Sequence, residues 1–138
     1  MALIVDASAL VSVALHDEDA AYANAVLSQI ERDGFAIVPP LFWDELLNVF
    51  VIAERRGRIE PEFTDRFLDE IASSIPLRKI QPSDRGAVLG VARRYALTAY
   101  DACYLSLAIE TRSSLATLDA ELRRAAAPAG VAIFVPSA

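Results

Sequence analysis

Soft metal ligands are almost missing from this sequence: one cysteine, Cys103, and one histidine, His16, occur in 138 residues. A single cysteine excludes an internal disulfide and a thiolate metal cluster, and a single histidine excludes a histidine-rich zinc centre within one chain. Both are read as structural, His16 in a surface loop and Cys103 as a small core residue. Lysine is nearly absent as well, so Lys79 stands beside twelve arginines among the thirteen basic residues. Net positive charge is lacking too. The balance of −6 argues against non-specific nucleic-acid binding through a broad basic face. No apolar run reaches the roughly eighteen residues of a membrane span, because charges, Pro128 and Gly130 interrupt the candidates. The N-terminal M-A-L-I-V-D-A-S-A-L has no basic leader region and carries Asp6 inside its apolar stretch, which is not the pattern of an export signal. A soluble, cytoplasmic protein is expected. Repeats, low-complexity tracts and linkers are also missing, and the length predicts one domain, 1–138, around one core.

What is present is a high apolar fraction, 54% against 23% charged, which excludes disorder and suggests that some apolar surface goes into a subunit interface. Short apolar runs at 2–5, 35–38, 115–117 and 131–135 read as strands, with a weaker one at 77–80. Helical patterns lie between them: 8–15, a second starting in the acidic D-E-D at 17–19 and stopping before Gly34, 41–56, 61–74, 82–95, 100–112 and a short one from Asp119. Gly57 suits the C-cap of the third, Pro61 the first turn of the fourth. In the helix after Pro40, Trp43, Leu46, Leu47, Phe50 and Val51 recur at helical spacing; in the next, Phe63, Phe67, Leu68 and Ile71 do. Strands alternating with helices predict an α/β fold, a mostly parallel sheet of about five strands flanked by helices.

In such a sheet ligands bind beyond the carboxyl ends of the strands. Asp6 ends the first strand, Asp119 follows the strand at 115–117, Asp101 opens the helix of L-T-A-Y-D-A-C-Y-L-S-L-A, and Glu45 sits early in the helix after Pro40. Each has a plain alternative. Thr98 and Asp101 have capping-box spacing, Asp119 can begin its helix, and Asp44 and Glu45 can offset a helix dipole. Asp6 is harder to explain away, because an uncompensated carboxylate at the end of a buried strand costs several kcal/mol. On a helical wheel Glu45 has one polar companion, Asn48. Four carboxylates converging on one edge repel unless a cation sits among them, and an all-oxygen set suits Mg²⁺ or Mn²⁺.

At these residues a resemblance appears. I-V-D-A-S-A-L, P-P-L-F-W-D-E-L-L-N-V-F, L-T-A-Y-D-A-C-Y-L-S-L-A and L-A-T-L-D-A-E-L resemble, in order and spacing, the four acidic motifs of PIN-domain ribonucleases, in particular the VapC-type toxins of type II toxin–antitoxin pairs. The resemblance implies a metal-dependent endoribonuclease with Asp6, Glu45, Asp101 and Asp119 as catalytic, metal-binding acids. Asp6 and Asp101 would be the direct ligands, Asp119 would complete or bridge a second ion, and Glu45 would orient or deprotonate the water. Ser8 and Thr117 resemble hydroxyl positions near that site and Asn48 a residue commonly found after the glutamate. Their plain readings are a helix cap, strand propensity and an ordinary polar face.

Arginines 55, 56, 58, 93, 94, 123 and 124 cluster near helix ends, as phosphate contacts or as solvated helix termini. A homodimer is expected, with a cognate antitoxin protein binding near the helices at 41–56 and 61–74, since Phe42, Val49 and Ile52 fall off the Trp43–Leu46–Leu47–Phe50 stripe. Two other classes compete: a Mg²⁺-binding phospho-receiver-like domain, which usually needs a late lysine that only Lys79 offers, and a non-catalytic partner-binding α/β module.

Overall fold

A computed structural model describes residues 2–15 and 20–137. The elements are β1 (Leu3–Val5), α1 (Ser8–Leu15), α2 (Ala20–Asp33), β2 (Ala36–Val38), α3 (Leu41–Arg55), α4 (Pro61–Ser74), β3 (Leu77–Lys79), α5 (Arg85–Tyr95), α6 (Ala99–Thr111), β4 (Ser114–Ala116) and α7 (Ala120–Ala126). The expected helix start in the D-E-D and the loop position of His16 lie outside the described residues. The strands form one parallel sheet in the order β3-β2-β1-β4. The α/β, parallel character expected from the alternation is therefore present, with four strands among the described residues instead of about five.

The missing strand is V-A-I-F-V. It makes a single parallel bridge, Ile133 to Leu115, closed by Leu115 N–H to Ala132 O at 2.9 Å and Phe134 N–H to Leu115 O at 2.9 Å. Beyond it the Phe134 carbonyl accepts the Tyr22 hydroxyl at 3.0 Å and its ring meets Tyr22 edge-on. A side chain has taken the acceptor, and Pro136 has no N–H to continue the ladder.

Alternation along the strands sorts the core into two layers. Leu3, Val5, Ala36 and Val38 pack with α1 to α4, whereas Ile4, Ile37 and Leu115 pack with Tyr104, Leu105 and Leu107 of α6 and Leu122 of α7. The buried face of α3 is Phe42, Leu46, Phe50 and Ala53. This corrects the expected stripe: Leu47 and Val51 point outward, at 45% and 39% exposure, and Phe42 points in. Polar Asp44, Asn48 and Arg55 cluster on the side opposite the buried face, and it is this polar side, more than the dense apolar residues around it, that marks the phase. On α4, Ile71 is buried and Phe63, Phe67 and Leu68 pack against the same layer, as expected.

Helix ends follow local chemistry. Gly57, at φ +71°, takes the left-handed position after α3, where a side chain would be strained. Pro61 opens α4. α5 starts at Arg85, later than the expected Pro82, because the Asp84 side chain accepts the Gly86 N–H at 2.8 Å and fixes the first turn there. No helix among the described residues is long and apolar enough to cross a membrane.

From β1 the chain steps to β2 and β3 on one side, then returns to β4 on the other side of β1. The crevice between the carboxyl ends of β1 and β4 is therefore a topological switch point, the place where such sheets bind ligands.

Candidate active site

Asp6 continues the β1–β4 ladder through its N–H to Ala116 O at 3.0 Å, so its side chain is delivered into that crevice by backbone pairing. It is 6% exposed. Two hydroxyls hold one carboxylate oxygen: Ser8 Oγ and Thr117 Oγ1 each donate to Asp6 Oδ2 at 2.7 Å. Each hydroxyl also accepts a backbone N–H of the loop after β4, Leu118 to Ser8 and Asp119 to Thr117, both at 3.0 Å. Ser8 and Thr117 thus tie the first acid to the loop that carries the last.

Asp119 caps α7, its Oδ1 accepting the Leu122 N–H at 3.0 Å. The plain cap reading describes one of its oxygens. At α6 the cap is Thr98, whose Oγ1 accepts the Asp101 N–H at 3.1 Å, and Asp101 sits in the first turn, half-buried. Glu45, half-buried on α3, accepts the Tyr104 hydroxyl on Oε1 at 2.6 Å.

These four acids bear on one another electrostatically. Burial pushes the Asp101 carboxyl up to about 6, with the charges of Asp119 and Asp6 adding to it. Burial also raises Glu45, reinforced by Asp6, Asp101 and Asp119 and opposed by the Tyr104 hydroxyl. Asp6 is raised by burial and by Asp119, while its Thr117 and Ser8 donors pull it back. The crevice therefore holds like charges in a partly dehydrated corner. The ion pair found among the described residues, Arg124 with Glu121 at 2.8 Å, involves none of the four.

Whether a metal fits rests on the donor chemistry. Among the described residues no three acid, histidine or cysteine side chains stand as a ready-made coordination shell. The four carboxylates nevertheless supply hard oxygen donors from one corner, none of them ion-paired among the described residues, and Asp6, Glu45 and Asp101 hold protons more tightly than usual. That set fits Mg²⁺ or Mn²⁺.

Arg123 is tied to the same corner, donating Nε–H to Thr117 O at 2.7 Å with its guanidinium carbon 5.3 Å from the centre of the Tyr22 ring. Arg124 is committed to Glu121 and to the Tyr95 carbonyl. Asn48 is exposed on α3, and the structure gives it no bond to Glu45. Cys103 is half-buried, and burial and the Glu45 charge push its thiol up, which keeps it protonated and unreactive. Lys79 is exposed on edge strand β3, with β2 between it and β1, so it does not serve Asp6 as a receiver-domain lysine would. Sequence reasoning missed Tyr104 and Tyr22. Tyr104 was legible as the residue three after Asp101, on the same helix face; nothing local marked Tyr22.

The sequence profile of the PIN domain family matches residues 3–128. This chain belongs to the PIN domain family. Among solved structures, PAE2754 from Pyrobaculum aerophilum is similar to this PIN chain at 28% identity and a TM-score of 0.71, covering 96% of this chain and 83% of that one. FitAcB from Neisseria gonorrhoeae is similar at 14% identity and a TM-score of 0.57, with 97% of each chain covered, a likeness of fold alone. No curated protein matches. PIN domains are generally metal-dependent nucleases, and the switch-point crevice of this one carries acids suited to such chemistry.

Proposed function

We propose that this chain is a Mg²⁺- or Mn²⁺-dependent endoribonuclease, the VapC-type toxin of a type II toxin–antitoxin pair, acting in the cytoplasm through one PIN-like domain spanning 1–138. One observation carries the reading: carboxylates from four separate segments bear on one another at the carboxyl end of the sheet, and none is paired with a cationic side chain among the described residues. Asp6, immobilised by Ser8 and Thr117, presents a fixed oxygen ligand, Asp101 presents a second from α6, and Asp119 presents its uncapped oxygen from the start of α7. Glu45 orients the attacking water and takes its proton. A divalent ion bound by these residues supplies a lowered water pKa and neutralises the scissile phosphate. Arg123 is placed to meet a neighbouring phosphate, its guanidinium braced by the Thr117 carbonyl.

The direct test is cleavage of RNA by the purified chain with Mg²⁺, Mn²⁺ or EDTA, beside Asp6→Asn. Cleavage is expected with either metal and is expected to vanish with EDTA and in the variant. Cleavage that survives EDTA, or none under any metal, sinks the proposal.

Two partners belong to the same reading. Leu47, Val51 and Ile52 on α3 are 45%, 39% and 37% exposed, which supports a homodimer through this helix. On α4, one of the two helices expected to meet the antitoxin, Phe67, Ile71 and the following Ile75 line an apolar groove whose other wall is Leu27 of α2 instead of α3, suited to an amphipathic segment of that partner. Light scattering at rising concentration is expected to give twice the chain mass, falling toward one chain mass for Leu47→Asp/Val51→Asp. A strict monomer at high concentration overturns the dimer.

A further inference from the structure

We infer that Tyr104 is a positioning residue for Glu45, holding that carboxylate toward the acidic cluster and so setting how well the site binds metal and cuts. The inference rests on the reading of the site given above. Tyr104 follows Asp101 by three residues on α6, so helix geometry carries ring and carboxylate out on one side. The ring is fully buried in the layer built by Leu105, Leu107 and Leu115. A phenylalanine would fill that volume equally well; the hydroxyl is what needs explaining, since a buried phenol without a partner is costly.

Its side-chain partner is 59 residues away. The hydroxyl donates to Glu45 Oε1 at 2.6 Å, the length of a charge-assisted O–H···O⁻ bond. The backbone N–H of Ala7, next to Asp6, also bears on the phenol oxygen. The bond joins α3, whose buried face lies on one layer of the sheet, to α6, which lies on the other, and it does so at the end of β1. Glu45 has no other hydrogen-bond partner among the described residues, while three like charges bear on it. Without the phenol, repulsion and hydration favour a rotamer turned toward solvent. With it, Oε1 is held by the phenol and Oε2 keeps its lone pairs free of any hydrogen bond among the described residues.

The test is a cycle of Tyr104→Phe, Glu45→Gln and the double variant, each confirmed as folded by its melting curve. Mn²⁺ binding is measured by calorimetry and RNA cleavage in parallel. Outer-shell partners of metal ligands typically contribute about 10- to 100-fold in metal affinity or activity, and Tyr104→Phe is expected to lose that much in both, with KM for RNA changed little. In the Glu45→Gln background the further change to Phe is expected to alter neither by more than about twofold, because a residue acting through Glu45 has nothing left to act on. Wild-type Mn²⁺ affinity in Tyr104→Phe, or a loss that adds undiminished to that of Glu45→Gln, overturns the inference. If the wild type binds Mn²⁺ but cuts no RNA, the ribonuclease reading falls and the calorimetric cycle still decides Tyr104. If the wild type binds no Mn²⁺, both fall.

Discussion

Asp101→Asn is expected to lower RNA cleavage by about 10³-fold, the upper end of what removing one preorganised electrostatic group costs, while making the metal-free protein more stable. Catalytic loss arises because an amide is nearly the same shape as a carboxylate but a much poorer ligand for a hard cation. The fold is retained because the α6 cap runs through the Asp101 backbone N–H to Thr98, which the substitution leaves in place. Stability moves in the opposite direction for a reason visible in the proton balance. The Asp101 carboxyl is raised from 3.8 to about 6 in the folded state, so between about pH 4 and 6 the folded chain holds a proton that the unfolded chain has released. Stability is therefore fully present below that window and is lost as pH rises through it. At neutral pH the ionised group is a cost that asparagine removes. After allowance for its partial exposure to solvent, the gain is about 1 kcal/mol, or about 3 °C in Tm for a chain of this length. Cleavage rates and metal-free melts of the two proteins check both halves. An active variant, or one that melts below the wild type without metal, would remove Asp101 from the site.

Millimolar Mn²⁺ is expected to raise the Tm of the wild type by about 9 °C when it reaches about a hundred times its Kd, since ligand at that excess contributes about 2.7 kcal/mol to the folded state. The increment should be small at pH 5 and full at pH 7. Burial and mutual repulsion raise Asp6, Glu45 and Asp101, so at the lower pH protons occupy oxygens that the cation needs. In Asp101→Asn the increment should shrink at both values. Melts at two pH values with and without Mn²⁺ decide the matter: equal midpoints for the wild type at pH 7 would argue strongly against a metal site.

Much of this architecture could be read from single residues. L-I-V-D and L-A-T-L-D each run a short apolar strand into an acid, and in a parallel sheet that arrangement places both acids on one edge whatever the rest of the chain does. The phase of α3 was marked by its polar side, since Asp44, Asn48 and Arg55 lie together opposite the buried Phe42, Leu46, Phe50 and Ala53. Counting the apolar residues from Trp43 at three- and four-residue steps drew the stripe too far toward Leu47 and Val51. What stayed hidden depended on tertiary choice. The V-A-I-F-V run satisfies every local rule for a strand, yet its pairing was settled by Tyr22 more than a hundred residues earlier. Tyr104 drew no reading of its own; it is buried in the core, and its hydroxyl acquires meaning only when Glu45 is placed beside it. Of the four acids only Asp6 demanded compensation by its place at a buried strand end. Glu45, Asp101 and Asp119 had cap or dipole explanations and were grouped by the family resemblance, just as Ser8 and Thr117 had ordinary explanations until their shared oxygen on Asp6 was located.

The two margins of the sheet are guarded in different ways, and that bears on how the chain behaves at high concentration. An open strand margin is a template for another molecule's backbone. β3, at one margin, carries exposed Arg78 and Lys79 on its two faces, and the Arg78 guanidinium stacks 3.8 Å from the centre of the Phe35 ring, so an incoming strand meets charge on either side of the edge. β4, at the other, is shielded by the single rung at Ile133 and by the Tyr22–Phe134 clasp that holds the chain across it. Guarding by charge weakens with salt, and guarding by a clasp weakens with heat. Self-association by strand addition should therefore begin at β3 in concentrated salt and at β4 on warming, well before the core itself gives way.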